Sequence, residues 1–307
     1  MRVVFMGTPN FAVQSLCAIL EAGHDVIGVW TRADTQKKRG MKLLPPPVKV
    51  LAQAKGIPVY QPKNLRGDET LQQLTALAPD VIIVAAYGRL LPRRVLELPR
   101  YGCVNVHASL LPKYRGANPI AAAVLNGECE SGISIMRMAE GMDEGPVLLM
   151  RRLPLLENET FGSLHDRLAE LGGQVLTEAL ALLEACALSE TPQDSAGITY
   201  APATRNEDAK LDFTRSAHEV ACHIRACDPV PGAYAMLDGM RIKLYGASEA
   251  GGRGEPGVIL SCGREGVQIA CETGAVCVAE VQAQGGKRMP AAAFFNGHTS
   301  MLAKRFS

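Results

Sequence analysis

Residues 102–146 read GCVNVHASLLPKYRGANPIAAAVLNGECESGISIMRMAEGMDEGP. A short apolar run ends in the polar residues Asn105 and His107, and an alanine-rich helical pattern starts near Asn118. The stretch is typical of a strand that leads through a loop into a helix. Because side chains alternate along a strand, Asn105 and His107 share one face near its carboxyl end. Open α/β sheets bind their ligands at that end.

The simplest interpretation of this pair is a hydrogen-bonded core asparagine and a helix-capping histidine. Two neighbouring features favour a functional site instead. Residues 109–116, SLLPKYRG, form a loop that proline and glycine stiffen, and its backbone groups could clamp a flat ligand. Residues 138–146 form a second polar turn, which offers the carboxylate of Asp143.

Composition limits the classes of protein to consider. The 307 residues favour one large and one smaller domain. With 47% hydrophobic and 21% charged residues the chain is typical of soluble globular proteins, and a net charge of +1 argues neither for nor against nucleic acid. Nine cysteines without a C-x-x-C motif argue against a disulfide framework or a zinc ribbon. With no leader and no apolar stretch near the roughly 18 residues of a membrane span, we expect a cytoplasmic protein.

The start of the chain predicts a parallel sheet with covered faces. Residues 2–6 and 25–30 are strand patterns, and a helical pattern over residues 11–22 connects them. Gly7 stands alone rather than in a G-x-G-x-x-G motif, and no G-x-x-x-x-G-K-[ST] motif occurs. The sequence therefore argues against a nicotinamide or P-loop nucleotide site.

The rest of the chain predicts two domains. Further patterns are helices over 48–55, 68–77, 161–188 and 216–227, and strands over 57–60, 80–86, 131–138 and 146–152, the last two as a hairpin. Residues 189–208 are polar and contain proline, as expected for a linker. Short alternating strands separated by glycine turns then predict a small β-barrel within residues 209–307.

Two segments of the chain carry a family pattern. Residues 105–120 read N-V-H-A-S-L-L-P-K-Y-R-G-A-N-P-I, and residues 132–146 read G-I-S-I-M-R-M-A-E-G-M-D-E-G-P. This pattern resembles the folate-dependent formyltransferases, and the resemblance spans essentially the whole chain. It implies a Rossmann-like, mostly parallel formyltransferase domain over residues 1–188, and an OB-like β-barrel domain over residues 209–307 that binds tRNA. It also implies a monomer.

The resemblance implies a site as well as a fold. Formyl transfer between nitrogens passes through a tetrahedral oxyanion, to which Asn105 would donate a hydrogen bond. His107 would act as the acid–base group, and Asp143 would orient the imidazole and hold a water. The implied donor is 10-formyltetrahydrofolate, a co-substrate. Its implied contacts are Ser109, Leu110, Leu111, Pro112, Tyr87, Gly88, Leu90 and Leu91; Leu90 and Leu91 are equally interpretable as the first apolar turn of a helix.

The implied acceptor is the α-amino group of methionyl initiator tRNA, which would place the chain in translation initiation. Residues 31–49 form a long loop with five basic residues between 37 and 49 and no acid among them. Such a loop suits phosphate binding, although a solvated surface loop is the alternative. Gln36-Lys37-Lys38 departs from the most familiar family pattern, so the shape of the loop stays open. The implied tRNA or methionyl contacts are Phe11, Lys38, Arg39, Lys42, Lys287 and Arg288.

Three alternatives stay open at this point. A formyltransferase of the same family could act on an amino-sugar nucleotide or another amine, or hand the formyl group to water. A non-catalytic RNA-binding module would be expected to have lost the residues at positions 105, 107 and 143, which are all present. A zinc site is also conceivable at His218, Cys222, His223 and Cys227. Four such ligands on a single helix are poorly placed for tetrahedral convergence, so we expect no metal.

We predict that Arg39→Ala weakens the use of tRNA and leaves folate binding intact. Loss of one phosphate contact should raise the KM for tRNA and lower the slope of log KM against log salt by about one. Steady-state formylation at several salt concentrations, together with folate titration, measures both effects. An equal loss of folate binding would contradict the role given to this loop.

Overall fold

A computed structural model describes residues 1–36 and 43–307. The described chain forms two compact units. The first consists of residues 1–119, 131–153 and 165–201, and the second of residues 120–130, 154–164 and 202–307. The predicted tRNA contacts Lys38, Arg39 and Lys42 lie outside the described residues.

Strands and helices mostly alternate along the first half of the chain. The strands are β1 (Arg2–Gly7), β2 (Asp25–Trp30), β3 (Thr35–Gln36), β4 (Leu43–Leu44), β5 (Val59–Tyr60), β6 (Val81–Ala85), β7 (Cys103–His107), β8 (Arg115–Gly116), β9 (Glu130–Arg137), β10 (Val147–Pro154), β11 (Tyr200–Ala201), β12 (Tyr234–Leu237), β13 (Met240–Ala250), β14 (Ile259–Gly263), β15 (Gly266–Ala270), β16 (Ala275–Ala283) and β17 (Met289–Pro290). The helices are α1 (Asn10–Glu21), α2 (Pro47–Ala54), α3 (Asp68–Leu77), α4 (Arg93–Leu96), α5 (Pro119–Leu125), α6 (Phe161–Glu184), α7 (Ala217–Ala226) and α8 (Ala291–Asn296).

The first unit is built on a seven-stranded sheet in the order β10-β9-β7-β6-β1-β2-β5. Strands β7, β6, β1, β2 and β5 pair in parallel. Every residue of β6 and β7 is buried, as expected for central strands covered on both faces. Because β6 and β7 pair in parallel, their carboxyl ends meet at one edge of the sheet, where several loops can reach a ligand.

Strand β9 reverses this direction. It pairs antiparallel with β7, so that Ser134 lies opposite His107 and Arg137 lies opposite Val104. The Arg137 N–H donates to the Pro146 carbonyl, which closes the predicted hairpin onto β10. The antiparallel edge that the sequence predicted is confirmed.

The segment 189–208, which the sequence analysis predicted as a linker, contains regular pairing. Strand β11 pairs in parallel with β8, with Tyr200 opposite Arg115. The segment up to Ala201 belongs to the first unit. This pairing joins residues far apart in sequence, and it brings the segment beside the loop that follows β7.

The second unit contains an antiparallel sheet in the order β12-β13-β16-β15-β14, with β17 paired to β16. Helix α7 begins with a capping box, in which Ser216 and Glu219 satisfy each other's backbone N–H groups. Apolar side chains of this helix, including Val220 and Ile224, belong to the buried core of the unit. An α/β domain followed by a smaller β domain is therefore confirmed. In the described part of the chain, every helix is too short or too polar to cross a bilayer.

We predict that Gly132→Ala destabilises the first unit. A Cβ atom there would lie 2.2 Å from the Arg151 carbonyl oxygen and 2.5 Å from Leu110 Cδ2, so the backbone itself must shift. The expected loss in free energy of unfolding is about 1–3 kcal/mol. Urea denaturation measures it, and Gly251→Ala, with no atom within 4 Å of its added Cβ, is the matched control. Equal stability of the two variants would contradict the packing described for β9.

Candidate active site

Polar residues cluster at the carboxyl end of β7. Asn105 and His107 lie on the same face of this strand, with exposed fractions of 9% and 5%. The His107 Nε2 atom lies 3.0 Å from the Tyr114 carbonyl oxygen. Because a carbonyl oxygen only accepts, Nε2 carries a hydrogen and donates it. The other ring nitrogen, Nδ1, is therefore the one that can gain or lose a proton.

Asp143 supplies the carboxylate that faces this nitrogen. Its Oδ2 atom lies 3.6 Å from His107 Nδ1 and accepts a 2.8 Å hydrogen bond from the Gly116 N–H. A neutral imidazole points the Nδ1 lone pair at the carboxylate, whereas a protonated imidazole forms an ion pair with it. The Asp143 side chain is 17% exposed, so that a substrate or water can reach it. The arrangement is suited to taking up a proton and releasing it again.

The loop after β9 must run back along β7 to bring Asp143 to His107. Strand β9 ends beside the start of β7, where the Met138 N–H donates to the Cys103 carbonyl. From Cys103 to His107 the strand extends about 13 Å, at roughly 3.3 Å per residue. The chain from Met138 to Asp143 can span about 16 Å when extended, so the loop is long enough for this return. Asp143 takes a left-handed conformation, with φ +53°.

Hydrogen bonds hold the loop that follows β7 in shape. The Ser109 hydroxyl donates to the Lys113 carbonyl over 2.6 Å. The Ser134 hydroxyl, on β9, donates to the Ser109 carbonyl over 2.7 Å and accepts from the Leu111 N–H over 3.1 Å. Because Ser134 lies opposite His107 on the neighbouring strand, it ties the loop to the strand end that carries the imidazole. No motif in the sequence indicates Ser134.

The predicted pocket wall after β6 has two different environments. Tyr87 and Leu91 are buried in the hydrophobic core of the first unit, with exposed fractions of 1% and 2%. Leu90 is 60% exposed, and Gly88 lies in a left-handed turn with φ +71°. All four residues precede α4, which begins at Arg93, so that Leu90 and Leu91 are not part of its first turn.

The other predicted contact residues are spread over both units. Phe11 lies in α1, is 5% exposed and packs edge-on against the His165 ring with centroids 5.8 Å apart. In the second unit Lys287 is exposed, and Arg288 forms ion pairs with Asp228 and Glu280 at 2.8 and 2.6 Å.

The site also contains backbone partners and a side-chain amide that no motif indicates. The Tyr114 carbonyl and the Gly116 N–H hold His107 and Asp143 respectively. The Gln193 amide bonds to the backbone carbonyl of Asp143 over 2.7 Å. The only sequence signal for these groups is the glycine at position 116, which marks a turn.

The histidines and cysteines of α7 do not form a ligand set. The His218 imidazole bonds to Glu249 through Nδ1, and His223 Nε2 bonds to the Asp208 carbonyl. Over residues 1–36 and 43–307, no group of three or more histidine, cysteine or acidic side chains is arranged to hold a metal ion.

Cys103 shares the strand face of Asn105 and His107, yet it is a core residue. Its side chain is 1% exposed, and burial raises the pKa of its thiol to about 12. A thiol with that pKa is almost entirely protonated near neutral pH, so it does not supply a nucleophile.

We predict that iodoacetamide at pH 8 labels the exposed Cys129 and Cys186 of the native protein and spares Cys103. The thiolate is the reactive form. At Cys103 the raised pKa keeps the thiol protonated, and burial keeps the reagent away from the sulfur. Mass spectrometry of native and urea-unfolded protein after equal exposure compares the sites, and the unfolded sample is the control. Native labelling of Cys103 at the rate of Cys129 would contradict its assignment to the core.

Comparison with known proteins places the whole chain in one family. Residues 1–180 match the family model described as formyl transferase, and residues 204–299 match the model of the formyl transferase C-terminal domain. Methionyl-tRNA formyltransferase of Citrifermentans bemidjiense is 46% identical over 97% of this chain and 94% of its own length. Methionyl-tRNA formyltransferase of Aromatoleum aromaticum is 47% identical over 100% of this chain and 97% of its own length.

Solved structures share the fold at low sequence identity. HypX from Aquifex aeolicus in complex with tetrahydrofolic acid has a TM-score of 0.67 at 21% identity, over 96% of this chain and 47% of that one. A sugar 3N-formyl transferase, crystallised with dTDP and 5-N-formyl-THF, has a TM-score of 0.69 at 19% identity, over 94% of this chain and 99% of that one. The two matched domains and the high identity of the relatives show that this chain belongs to the formyl transferase family.

Proposed function

We propose that the chain transfers the formyl group of 10-formyltetrahydrofolate to the α-amino group of methionyl initiator tRNA. The observation that carries the proposed reaction is the position of Asp143, 3.6 Å from the imidazole of His107, at the strand end that also bears Asn105. The proposed acceptor rests on the full-length relatives, which are named methionyl-tRNA formyltransferases.

The chemistry needs an oxyanion donor and a proton carrier. The amine nitrogen of the acceptor attacks the formyl carbon, and the Asn105 amide donates a hydrogen bond to the oxyanion that forms. His107 takes the proton of the amine at Nδ1, and Asp143 stabilises the resulting imidazolium. The carbon–nitrogen bond to the folate breaks, and the proton passes to the leaving nitrogen. No covalent bond to the protein is needed.

The loops around the end of β7 fit a flat folate donor. The segment from Ser109 to Lys113 is held rigid by the Ser109 and Ser134 hydroxyls, which suits backbone hydrogen bonding to a ring edge. The exposed Leu90 offers an apolar side chain for a ring face, while the buried Leu91 anchors that turn in the core. We assign Leu110, Pro112, Tyr87 and Gly88 to the same donor site.

The proposed tRNA contacts combine cations and one aromatic ring. We assign Phe11 to the methionyl side chain, and Lys38, Arg39, Lys42, Lys287 and Arg288 to phosphates. The carboxylates of Asp228 and Glu280 already pair with Arg288, so a phosphate must compete with them. We propose that the protein acts as a cytoplasmic monomer, without a metal.

An assay with competing acceptors tests this function. Purified protein receives 10-formyltetrahydrofolate with methionyl initiator tRNA, free methionine and an amino-sugar nucleotide, and mass spectrometry identifies each formylated product. We expect formylation of the tRNA alone. In the same assay His107→Ala should lower kcat by about 10²–10⁴ through loss of the acid–base group.

The proposed acceptor and the proposed role of His107 are tested by different outcomes of this assay. His298→Ala removes an imidazole whose Nδ1 bonds to the Phe294 carbonyl in the second unit, and it should keep the wild-type kcat. Turnover of the sugar nucleotide alone would refute the acceptor. Wild-type turnover by His107→Ala would refute the mechanism.

A further inference from the structure

The loop tip that carries Asp143 has an unfavourable backbone conformation. At φ +53° this residue lies in the left-handed region, which non-glycine residues adopt only when their surroundings hold them there. The Gly116 N–H donates a hydrogen bond to its carboxylate. The backbone of the tip therefore needs an additional support if the carboxylate is to stay beside His107.

The side-chain amide of Gln193 provides such a support. Its Nε2 donates one hydrogen to the Asp143 carbonyl and the other to the Gly145 carbonyl, each over 2.7 Å. Both hydrogens of a primary amide are thus used, and they fall on the two sides of the loop tip. Among side chains of this length, only glutamine is uncharged and carries both an NH₂ group with two donors and a carbonyl oxygen that accepts.

The same amide is held on its other side by Arg115. The Gln193 Oε1 accepts from Arg115 Nε over 3.0 Å and from the terminal guanidinium nitrogen over 2.9 Å. Arg115 is only 7% exposed, and its own backbone N–H donates to the Thr199 carbonyl. The amide is therefore fixed in orientation, because the guanidinium can only face its oxygen.

Gln193 thereby joins the two segments that contact the imidazole. Arg115 lies between Tyr114, whose carbonyl accepts from His107 Nε2, and Gly116, whose N–H binds the Asp143 carboxylate. The loop tip on the opposite side presents that carboxylate to Nδ1. One amide therefore sets the distance between both partners of His107.

We propose that Gln193 is a positioning residue for formyl transfer, which acts by holding Asp143 against His107. This inference deepens the proposed function and rests on it. Gln193 itself contacts neither the formyl donor nor the acceptor. Its effect reaches the reaction through the geometry of the imidazole and the carboxylate, where displacement by 1 Å can cost about 10²-fold in rate.

The decisive variant is Gln193→Glu. It keeps the length of the side chain and an oxygen for Arg115, but it replaces the two donated hydrogens with an oxygen that repels both loop carbonyls. We expect kcat for formylation of methionyl-tRNA to fall by about 10–100-fold. The KM for each substrate should stay near the wild-type value, because no binding contact is removed. Gln73→Glu, the same change at an exposed position of α3, is the control and should keep wild-type kcat.

A double-mutant cycle separates positioning from a structural effect. In the Asp143→Ala background the carboxylate is absent, so Gln193→Glu should cause no further loss in single-turnover rate. A structural role would lower the rate by the same factor in both backgrounds. Thermal unfolding and 5-formyltetrahydrofolate binding identify any variant that fails to fold, and Gln193→Ala then replaces Gln193→Glu in the same cycle.

The outcomes distinguish this inference from the function on which it rests. If the wild-type protein transfers no formyl group to methionyl-tRNA, the proposed function is wrong. If the wild type is active and the folded Gln193 variants keep its kcat, only the positioning role is overturned. The same holds if their losses add fully to that of Asp143→Ala.

Discussion

The candidate site depends on the path of the loop after β9. This loop runs back along β7, which brings the carboxylate of Asp143 to the imidazole of His107. The antiparallel pairing of β7 and β9 imposes this return, because it leaves the end of β9 beside the start of β7. Ordering such a loop costs conformational entropy. The hydrogen bonds at its tip, from Gly116 and Gln193, offset that cost and hold Asp143 in a left-handed conformation.

The central part of the fold could be predicted because its signals are local. Strand β6 is a continuous apolar run, and so is β1 after Arg2, as burial on both faces requires. Helix α3 spans the predicted residues, Asp68–Leu77, and the left-handed Ala78 ends it. The pairing of β8 with β11 could not be predicted, because each strand has two residues and no periodicity. A polar segment with proline resembles a linker whether or not distant backbone pairs with it.

The candidate site likewise contains residues that the sequence indicates and groups that it does not. His107 and Asp143 could be selected from the sequence because they stand in segments that resemble the folate-dependent formyltransferases. The Tyr114 carbonyl and the Gly116 N–H, which bond to these two side chains, are backbone groups. Every residue other than proline has both groups, so the sequence does not indicate which of them bond to the site. Gln193 lies 50 residues beyond Asp143, in a polar segment where a glutamine is unremarkable by composition. Only the three-dimensional pairing distinguishes this half-buried glutamine from the others in the chain.

Arg288 illustrates that the type of a residue does not by itself define its function. Arg288 resembles any other cation in the sequence, but its guanidinium lies 4.2 Å above the Tyr245 ring and pairs with Asp228 and Glu280. The two carboxylates weaken the field that attracts a phosphate, so a phosphate that binds Arg288 has to compete with them. With a net charge of only +1, attraction of a nucleic acid must come from local groups. Exposed Lys287 and the acid-free run at residues 37–42 are better suited to that attraction than Arg288.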